Sequence, residues 1–333
     1  MKDFILTLNL QLFAETIPTG ASPVNVTTQS GMSPEMKTFY DTTLLENARE
    51  SQIFTQFGLK QPMHGKKCEW RKFNTFAKAL TPLTEGVIPT GQTMSVEYIE
   101  AEITQHGDYV AVSDRLEMEA YDDVIFNATE EMGAAEGETF DTLTRNILVA
   151  GFNVFYCPNG TTEIDSRENI TKDCKLTPDV VHRVATILKK AKAPKIDGSY
   201  VAIIHPSVAY DLTSSDEWKE VHKYSDAKTI FKGEIGELRG VRFIESNESK
   251  VWKTEGKDAV YATLFLGKNA FGVLEPEGEG MEMIIKSKDQ IGGPLNQFST
   301  IGYKFCHGAK ILYPERLVRV ESGSALGAND TEN

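Results

Sequence analysis

The residue types that could perform chemistry are scattered along this chain. The sequence contains no G-x-S-x-G nucleophile elbow and no G-x-x-x-x-G-K-[ST] phosphate loop. Its six histidines form no H-E-x-x-H pair, and its four cysteines form no C-x-x-C pair. The acidic turn at 275–280 lacks the spaced D-x-D-x-D-G pattern of a calcium loop. We therefore expect no catalytic, cofactor-binding or metal-binding residues.

The net charge and the distribution of apolar residues exclude some classes of binding partner. The 333 residues carry 35 Lys plus Arg against 48 Asp plus Glu, a formal net charge of −13. This balance excludes an ordinary basic nucleic-acid-binding protein. The longest apolar run, 259–266, is far shorter than the roughly 20 residues that span a bilayer. With 40% apolar residues the chain can build a large core, and no membrane partner is expected.

The sign of the charge reverses within the segment 59–113. Six basic residues lie between Lys60 and Lys78, whereas 79–113 contains five acids and no Lys or Arg. An antiparallel hairpin would place these opposite charges across from each other. Roughly 25 residues in each limb could reach about 80 Å, against a radius of gyration of about 20 Å for a compact chain of this length.

If it stays extended, the hairpin therefore leaves its own domain. The alternative is a pair of ordinary strands in a central sheet. As residues that contact another subunit we predict Lys66, Lys67, Arg71, Lys72, Glu85, Gly86, Gly91, Glu97, Glu100 and Glu102.

Two segments that are predicted to be helices carry opposite charge. From Leu116 to Val149 apolar or small residues recur mostly every four positions, which predicts a long helix. Its other faces are acidic, with ten Asp or Glu and one Arg between Asp114 and Asp141. This is either a solvated face or a surface that meets a basic neighbour. The basic segment 175–195 is itself predicted to be a helix, started by Thr177-Pro178-Asp179.

Short strands separated by turns are predicted after this second helix, so the fold class is α+β. The predicted strands are Tyr200–His205, Val241–Glu245, Ala259–Leu266, Met281–Lys286, Ile301–Cys306 and Leu317–Glu321. A further helix is predicted from Pro34 to about Phe57.

Several strings, in this order and spacing, resemble the major capsid proteins of tailed bacteriophages, which have the Hong Kong 97 type of fold. The most specific is GEIGELRGVRFIES at 233–246. The others are NLQLFA at 9–14, LTEGVIP at 83–89, His205-Pro206 followed by Leu212, FLGKNAFG at 265–272, Gly302-Tyr303-Lys304 and Ile311-Leu312.

The resemblance implies a tailed-phage capsid fold with an N-terminal arm, an extended β-hairpin loop, a long spine helix, and peripheral and axial domains. The implied segments are an arm and helix (1–58), the hairpin loop (59–113), a peripheral domain with the spine helix (114–174), an axial domain (175–298), a return strand (299–322) and a flexible tail (323–333).

The resemblance also implies a function, that of a non-enzymatic major capsid protein in the virion. It would assemble in the bacterial host cytoplasm into pentamers and hexamers of an icosahedral shell that encloses double-stranded DNA without sequence-specific contact. Its implied partners are itself, a portal, a decoration protein, and a scaffolding protein unless the short arm alone guides assembly. On electrostatic grounds the inner wall is expected to be acidic or neutral, because tight binding to DNA would impede packaging. Some relatives crosslink through Lys, Asn and Glu, but we place no such trio here.

Two other functions remain open at this point. One is an encapsulin-like nanocompartment shell, which has the same fold and encloses a cargo enzyme. The other is a soluble enzyme whose site residues converge only in three dimensions, which would show as a cleft with clustered, perturbed acids.

Overall fold

The protein is described by a computed structural model, which covers residues 24–26, 52–63, 65–74, 76–83, 85–88, 91–119, 124–223, 234–254, 256–276, 280–291 and 295–333. Of the arm and helix predicted at 1–58, only 24–26 and 52–58 lie within these residues. At the end of that helix, Phe54–Phe57 forms one turn of 3-10 helix. No helix in the described part of the chain is long and apolar enough to cross a membrane.

The helix predicted from Leu116 to Val149 is described as two helices on either side of 120–123, which lie outside the described residues, and the second predicted helix is present at Pro178–Lys190. Thr177 accepts a hydrogen bond from the Val180 amide, and Pro178 occupies the first turn, so the second predicted helix begins where the sequence indicated. The helices are α1 (Asp114–Glu119), α2 (Val124–Val149), α3 (Pro178–Lys190), α4 (Pro206–Thr213), α5 (Asp216–Lys223) and α6 (Lys288–Ile291).

Sixteen strands are found among the described residues. They are β1 (Val24–Val26), β2 (Leu59–Met63), β3 (Lys67–Phe73), β4 (Val96–Glu102), β5 (Thr104–Ser113), β6 (Val154–Tyr156), β7 (Tyr200–Ile204), β8 (Glu234–Leu238), β9 (Val241–Glu245), β10 (Val251–Trp252), β11 (Val260–Leu266), β12 (Phe271–Pro276), β13 (Glu282–Lys286), β14 (Phe298–His307), β15 (Ala309–Ile311) and β16 (Leu317–Ser322). The α+β class and all six strands predicted after the second helix are confirmed.

The chain divides into two compact units. The first contains the described residues of 1–56, 105–143 and 278–307. Its sheet has the order β1-β5-β14-β13, and the N-terminal part of α2 packs against it. The core is apolar, with Val112, Met132, Ile301 and Phe305 buried.

A buried carboxylate of α2 fixes residues 53–55 within this first unit. Asp141 is 1% exposed and accepts hydrogen bonds from the backbone amides of Ile53, Phe54 and Thr55, with N to O distances of 2.9, 2.9 and 3.3 Å. These amides open the 3-10 turn and have no partner within it, so the carboxylate acts as its cap.

The second unit contains 57–104, 144–277 and 308–333. Its main sheet has the order β6-β16-β11-β7-β9-β8, with β10 added beside β11. Strands β7 and β11 are buried along their whole length, which matches their continuous apolar sequences. A smaller sheet, β15-β12-β2, and the two-stranded pair β3-β4 complete this unit.

The units divide the chain differently from the predicted segments. Strand β5, which we expected in the return limb of the hairpin, pairs within the sheet of the first unit. The predicted return strand 299–322 is two strands, β14 in the first unit and β16 in the second.

The C-terminal residues 323–333, predicted as a flexible tail, are hydrogen-bonded to other parts of the second unit. Asp330 accepts hydrogen bonds from the hydroxyls of Ser207 and Tyr261, and Asn333 accepts one from the Val251 amide. Polar side chains of the tail therefore have partners that a local pattern does not reveal.

Candidate self-assembly surface

The hairpin forms from β3 and β4, whose register largely pairs opposite charges. Lys67 lies opposite Glu102, and Lys72 lies opposite Glu97. One pair breaks the pattern, because Glu69 lies opposite Glu100. The predicted antiparallel pairing is confirmed, and it spans the seven residue pairs from Lys67–Glu102 to Phe73–Val96.

Lys67 forms ion pairs with two acids of the return strand, Glu100 and Glu102. Its Nζ lies 3.0 Å from Glu102 Oε1 and 3.7 Å from Glu100 Oε2. The hydrogen bond from Lys67, its charge and then the charge of Lys66 lower the pKa of Glu102, and the hydrogen bond to Glu102 raises the pKa of Lys67. Because these groups are exposed to solvent, their pairing favours one register and adds little to stability.

Two of the other predicted cations, Arg71 and Lys72, have partners that the register alone does not give. Arg71 lies above the ring of Tyr98, 5.9 Å from its centroid. Lys72 is directed away from Glu97, with its Nζ 3.5 Å from Glu315 and 4.7 Å from the ring centroid of Tyr313. The side chain of Glu97 instead accepts a hydrogen bond from Asn74 Nδ2 at 3.2 Å. Glu315 is 243 positions beyond Lys72, so the hairpin pattern could not identify it.

Three predicted residues lie at the tip beyond the paired strands. Glu85, Gly86 and Gly91 are all exposed. Gly86 has φ +79°, a left-handed conformation that strains other residues, which explains the glycine there. Gly91 is not among the residues with positive φ, so its backbone conformation does not require a glycine.

The most exposed apolar side chains of the described residues are concentrated on this hairpin. Ile88 is 93% exposed, Leu80 83% and Leu83 79%. The whole set, called here the hairpin apolar set, is Phe73, Phe76, Leu80, Leu83, Val87, Ile88, Met94 and Tyr98. The charge pattern from which the hairpin was predicted does not reveal this set. The available signal was the recurrence of large apolar residues in a segment rich in turn formers.

The base of the hairpin is fixed to β12. Trp70 packs over Gly272, where a Cβ atom would lie 2.8 Å from Trp70 Cζ2. Ala101 and Leu274 are buried beside it, together with the half-buried Ile103. The hairpin thus has one anchored end and one end that exposes apolar side chains to solvent.

Three groups with shifted pKa values meet in the second unit, where Asp330 accepts a hydrogen bond from Tyr261 and the Tyr261 ring centroid lies 4.9 Å from that of His205. None of the three lines the groove of the first unit described next. Burial raises the pKa of Glu136 to about 7 and lowers that of His307 to about 4. A groove of about 410 Å³ lies on the first unit. Among the residues that line it, Asp108 is the one acid. No group of three or more His, Cys, Asp or Glu in the described part of the chain could hold a metal ion. The cleft expected of the enzyme alternative is not found in these residues.

Comparison with known proteins identifies what this arrangement is similar to. The sequence model of the family described as phage capsid protein matches residues 88–274, more than half of the chain. Curated protein sequences offer no significant match.

Solved structures of phage capsids match nearly the whole chain. The capsid of the cyanophage P-SCSP1u superposes with a TM-score of 0.62 at 14% identity, covering 95% of this chain and 94% of that one. The capsid of cyanophage Pam1 gives 0.63 at 12% identity, covering 96% and 99%. An encapsulin from Synechococcus elongatus gives 0.54 at 13% identity, covering 93% and 96%. At these identities the likeness establishes the fold, which is of the Hong Kong 97 type.

Proposed function

We propose, since this chain belongs to the phage capsid protein family, that its hairpin apolar set docks on a neighbouring copy when the shell assembles. A member of this family is a structural protein of the virion capsid, which self-assembles into a shell, and is not an enzyme. The proposal concerns the contact that drives assembly. The observation that carries it is the exposure of eight large apolar side chains within residues 73–98.

Burial of apolar surface gives this contact its driving force. Each large side chain transferred from water to a packed interface contributes roughly 1.5–3 kcal/mol. Contiguous apolar patches on a monomer typically mark interaction sites. The paired strands β3 and β4 and the Trp70 anchor hold the base of the hairpin, so less conformational entropy is lost on docking.

The charges of the hairpin favour the pairing of its two limbs and the choice of partner. Lys66, Lys67, Arg71 and Lys72 lie on one limb and Glu97, Glu100 and Glu102 on the other. Lys66 and Arg71 are exposed, and within the described residues neither has an ion pair. They are available to acids of a neighbouring copy, which favours correct partners more than it raises affinity.

The test is a pair of variants of matched exposure. Ile88→Asp places a charge at the hairpin tip, and Phe152→Asp does so at a site that is 89% exposed in the second unit. Ile88→Asp is expected to leave the thermal unfolding of the unassembled chain unchanged and to abolish capsomers and shells. Negative-stain microscopy with light scattering measures the assembly.

The control separates a specific contact from general disturbance. Phe152→Asp is expected to assemble as the unmodified chain does. Normal shells from Ile88→Asp would overturn the proposed docking. Equal loss of assembly in both variants would also contradict it, because any charge on an apolar surface residue would then suffice.

Finer features of the shell follow from the same proposal. We expect pentamers and hexamers in an icosahedral head that encloses double-stranded DNA, assembled in the bacterial cytoplasm. A scaffolding protein, a portal and a decoration protein are expected partners. Shells that contain nuclease-protected duplex DNA of uniform length would support this part of the proposal.

The second candidate function is an encapsulin-like nanocompartment. The structural match to an encapsulin favours it, since the two kinds of shell have one fold. The match to the phage capsid protein family favours the first candidate. Native particles that contain a folded enzyme and no DNA would decide for the nanocompartment.

A further inference from the structure

Seven cations surround one end of the main sheet of the second unit. Six are exposed and Arg316 is half-buried. Within the described residues, none of the seven lies within ion-pair distance of a carboxylate. This group, called here the basic end, consists of Lys189, Lys190, Lys192, Lys195, Arg239, Lys268 and Arg316.

Backbone contacts bring these residues together from four places in the sequence. The Lys268 amide donates to Pro194 O at 2.9 Å, and Arg316 Nη1 donates to Lys268 O at 3.1 Å. The Lys195 ammonium lies next to Gly240, which follows Arg239. The strand register agrees, because Tyr200 lies opposite Val241 in the parallel pair β7-β9.

Local structural roles account for only part of the basic end. Lys189 and Lys190 lie in the last turn of α3, where the helix dipole favours cations. Arg316 stacks on Tyr313, 3.8 Å from the ring centroid. Lys192, Arg239 and Lys268 lie in turns without such a role. Because like charges repel, this concentration of charge is unfavourable unless an anion meets it.

We propose that the basic end binds the phosphate backbone of double-stranded DNA enclosed by the shell. This proposal rests on the proposed function of a DNA-containing capsid. Five of the seven cations are lysines, whose ammonium groups act as point charges without the planar geometry that reads bases. The contact is therefore independent of sequence and positions the DNA only through its charge.

The density of charge on duplex DNA suits a cluster of seven cations. Duplex DNA presents one negative charge per roughly 1.7 Å of its axis, enough to meet all seven.

The basic end would be a local exception to the acidic or neutral inner wall that we expected from the sequence. A localised contact is compatible with the net charge of −13. At physiological ionic strength the Debye length is about 8 Å, so DNA senses the basic end only when it is close. The rest of the acidic surface repels DNA, which keeps the contact weak. A weak contact is sufficient inside a filled shell and permits the DNA to move during packaging.

The test compares two triple variants that remove the same charge. In the first, Lys189, Lys192 and Lys195 of the basic end are changed to Gln. In the second, the control, Lys60, Lys219 and Lys257 are changed to Gln; each of these has a carboxylate partner in the same unit. Binding of the unassembled chain to a fluorescent 30-base-pair duplex of random sequence is measured by anisotropy at several NaCl concentrations.

The salt dependence gives the quantitative result. Each lost phosphate contact reduces the slope of log K against log salt by about 0.9, so the first variant should lose about 2.7 units of slope and the control none. Equal effects of both variants, or no binding by the unmodified chain, would overturn the proposal. Unchanged DNA binding with failed assembly in the first variant would assign the basic end to a contact between copies instead.

The experiments distinguish a failure of DNA binding by the basic end from a failure of the proposed assembly. Shells that form normally while the unassembled chain binds no DNA would reject the basic end alone. DNA binding without any shell would reject the proposed assembly alone. Thermal unfolding of both variants checks that neither has lost its fold.

Discussion

Glu136 places a carboxyl group inside the first unit with no hydrogen-bond partner among the described residues. Burial penalises its charged form and raises its pKa to about 7, against 4.5 for an exposed glutamate. Between these values the folded chain holds a proton that the unfolded chain releases. The free energy of unfolding therefore falls as the pH rises from about 4.5 to about 7.

We predict that Glu136→Gln removes this pH dependence. Above pH 7 the variant should be more stable than the unmodified chain by up to about 3 kcal/mol, since one pKa unit corresponds to about 1.4 kcal/mol. Urea unfolding at pH 5 and pH 8 measures the difference. Glu138→Gln, two residues away and exposed, is the control and should change neither value. A constant difference between Glu136→Gln and the unmodified chain at both pH values would contradict the prediction.

Asp141 is also a buried carboxylate, but unlike Glu136 it accepts hydrogen bonds from three backbone amides. We predict that Asp141→Ala costs about 2–4 kcal/mol of local stability, since buried donors lose a charged acceptor. Asp141→Asn should cost less, because one oxygen can still accept. Hydrogen exchange at residues 53–55 measures the effect. Unchanged exchange at these amides would show that the carboxylate does not hold them.

At the scale of elements, the hairpin combines a register favoured by charge with an apolar tip. Reversal of Lys66, Lys67, Arg71 and Lys72 to Glu should impair assembly more than folding. Lys72 also pairs with Glu315, so its reversal disturbs the anchored base as well. The register alone is tested more cleanly through Lys67.

We predict that Lys67→Glu reduces assembly and that the exchange Lys67→Glu with Glu102→Lys restores it. The single change sets three acids around one position, whereas the exchange returns the direct pair. The melting temperature of the unassembled chain should stay nearly constant throughout, as expected for exposed pairs. Light scattering follows assembly. Failure of the exchange to restore shells would indicate that Lys67 acts on a neighbouring copy and not on its own return strand.

Local signals allowed correct prediction of individual elements but not of their distant partners. Strand β9 occurs at Val241–Glu245 as predicted, because its apolar run is bounded by turn residues. The pairing of β5 with β14, almost 200 residues later, has no local signal. The same limit applies to the candidate site. The reversal of charge between the two limbs predicted the β3-β4 pairing, while Glu315, Tyr313 and Gly272 meet the hairpin only in the folded chain.

At the scale of the whole molecule, charge and apolar surface oppose each other during assembly. Every copy carries a net charge of −13, so copies repel one another until they come close. The hairpin apolar set attracts only on contact, because the hydrophobic effect requires removal of water from the surfaces. Ionic strength alters the first effect far more than the second.

We therefore predict that assembly of the unmodified chain becomes faster as NaCl is raised from about 10 mM to about 150 mM, where the Debye length falls from about 30 Å to about 8 Å. Between 150 mM and 1 M the rate should change little, since the docked apolar side chains are not screened. Ile88→Asp should fail to assemble at every concentration, because salt removes the repulsion without restoring the apolar contact. Time-resolved light scattering measures these rates. Assembly that weakens steadily with added salt would instead show that ion pairs between copies, such as those available to Lys66 and Arg71, supply the main attraction.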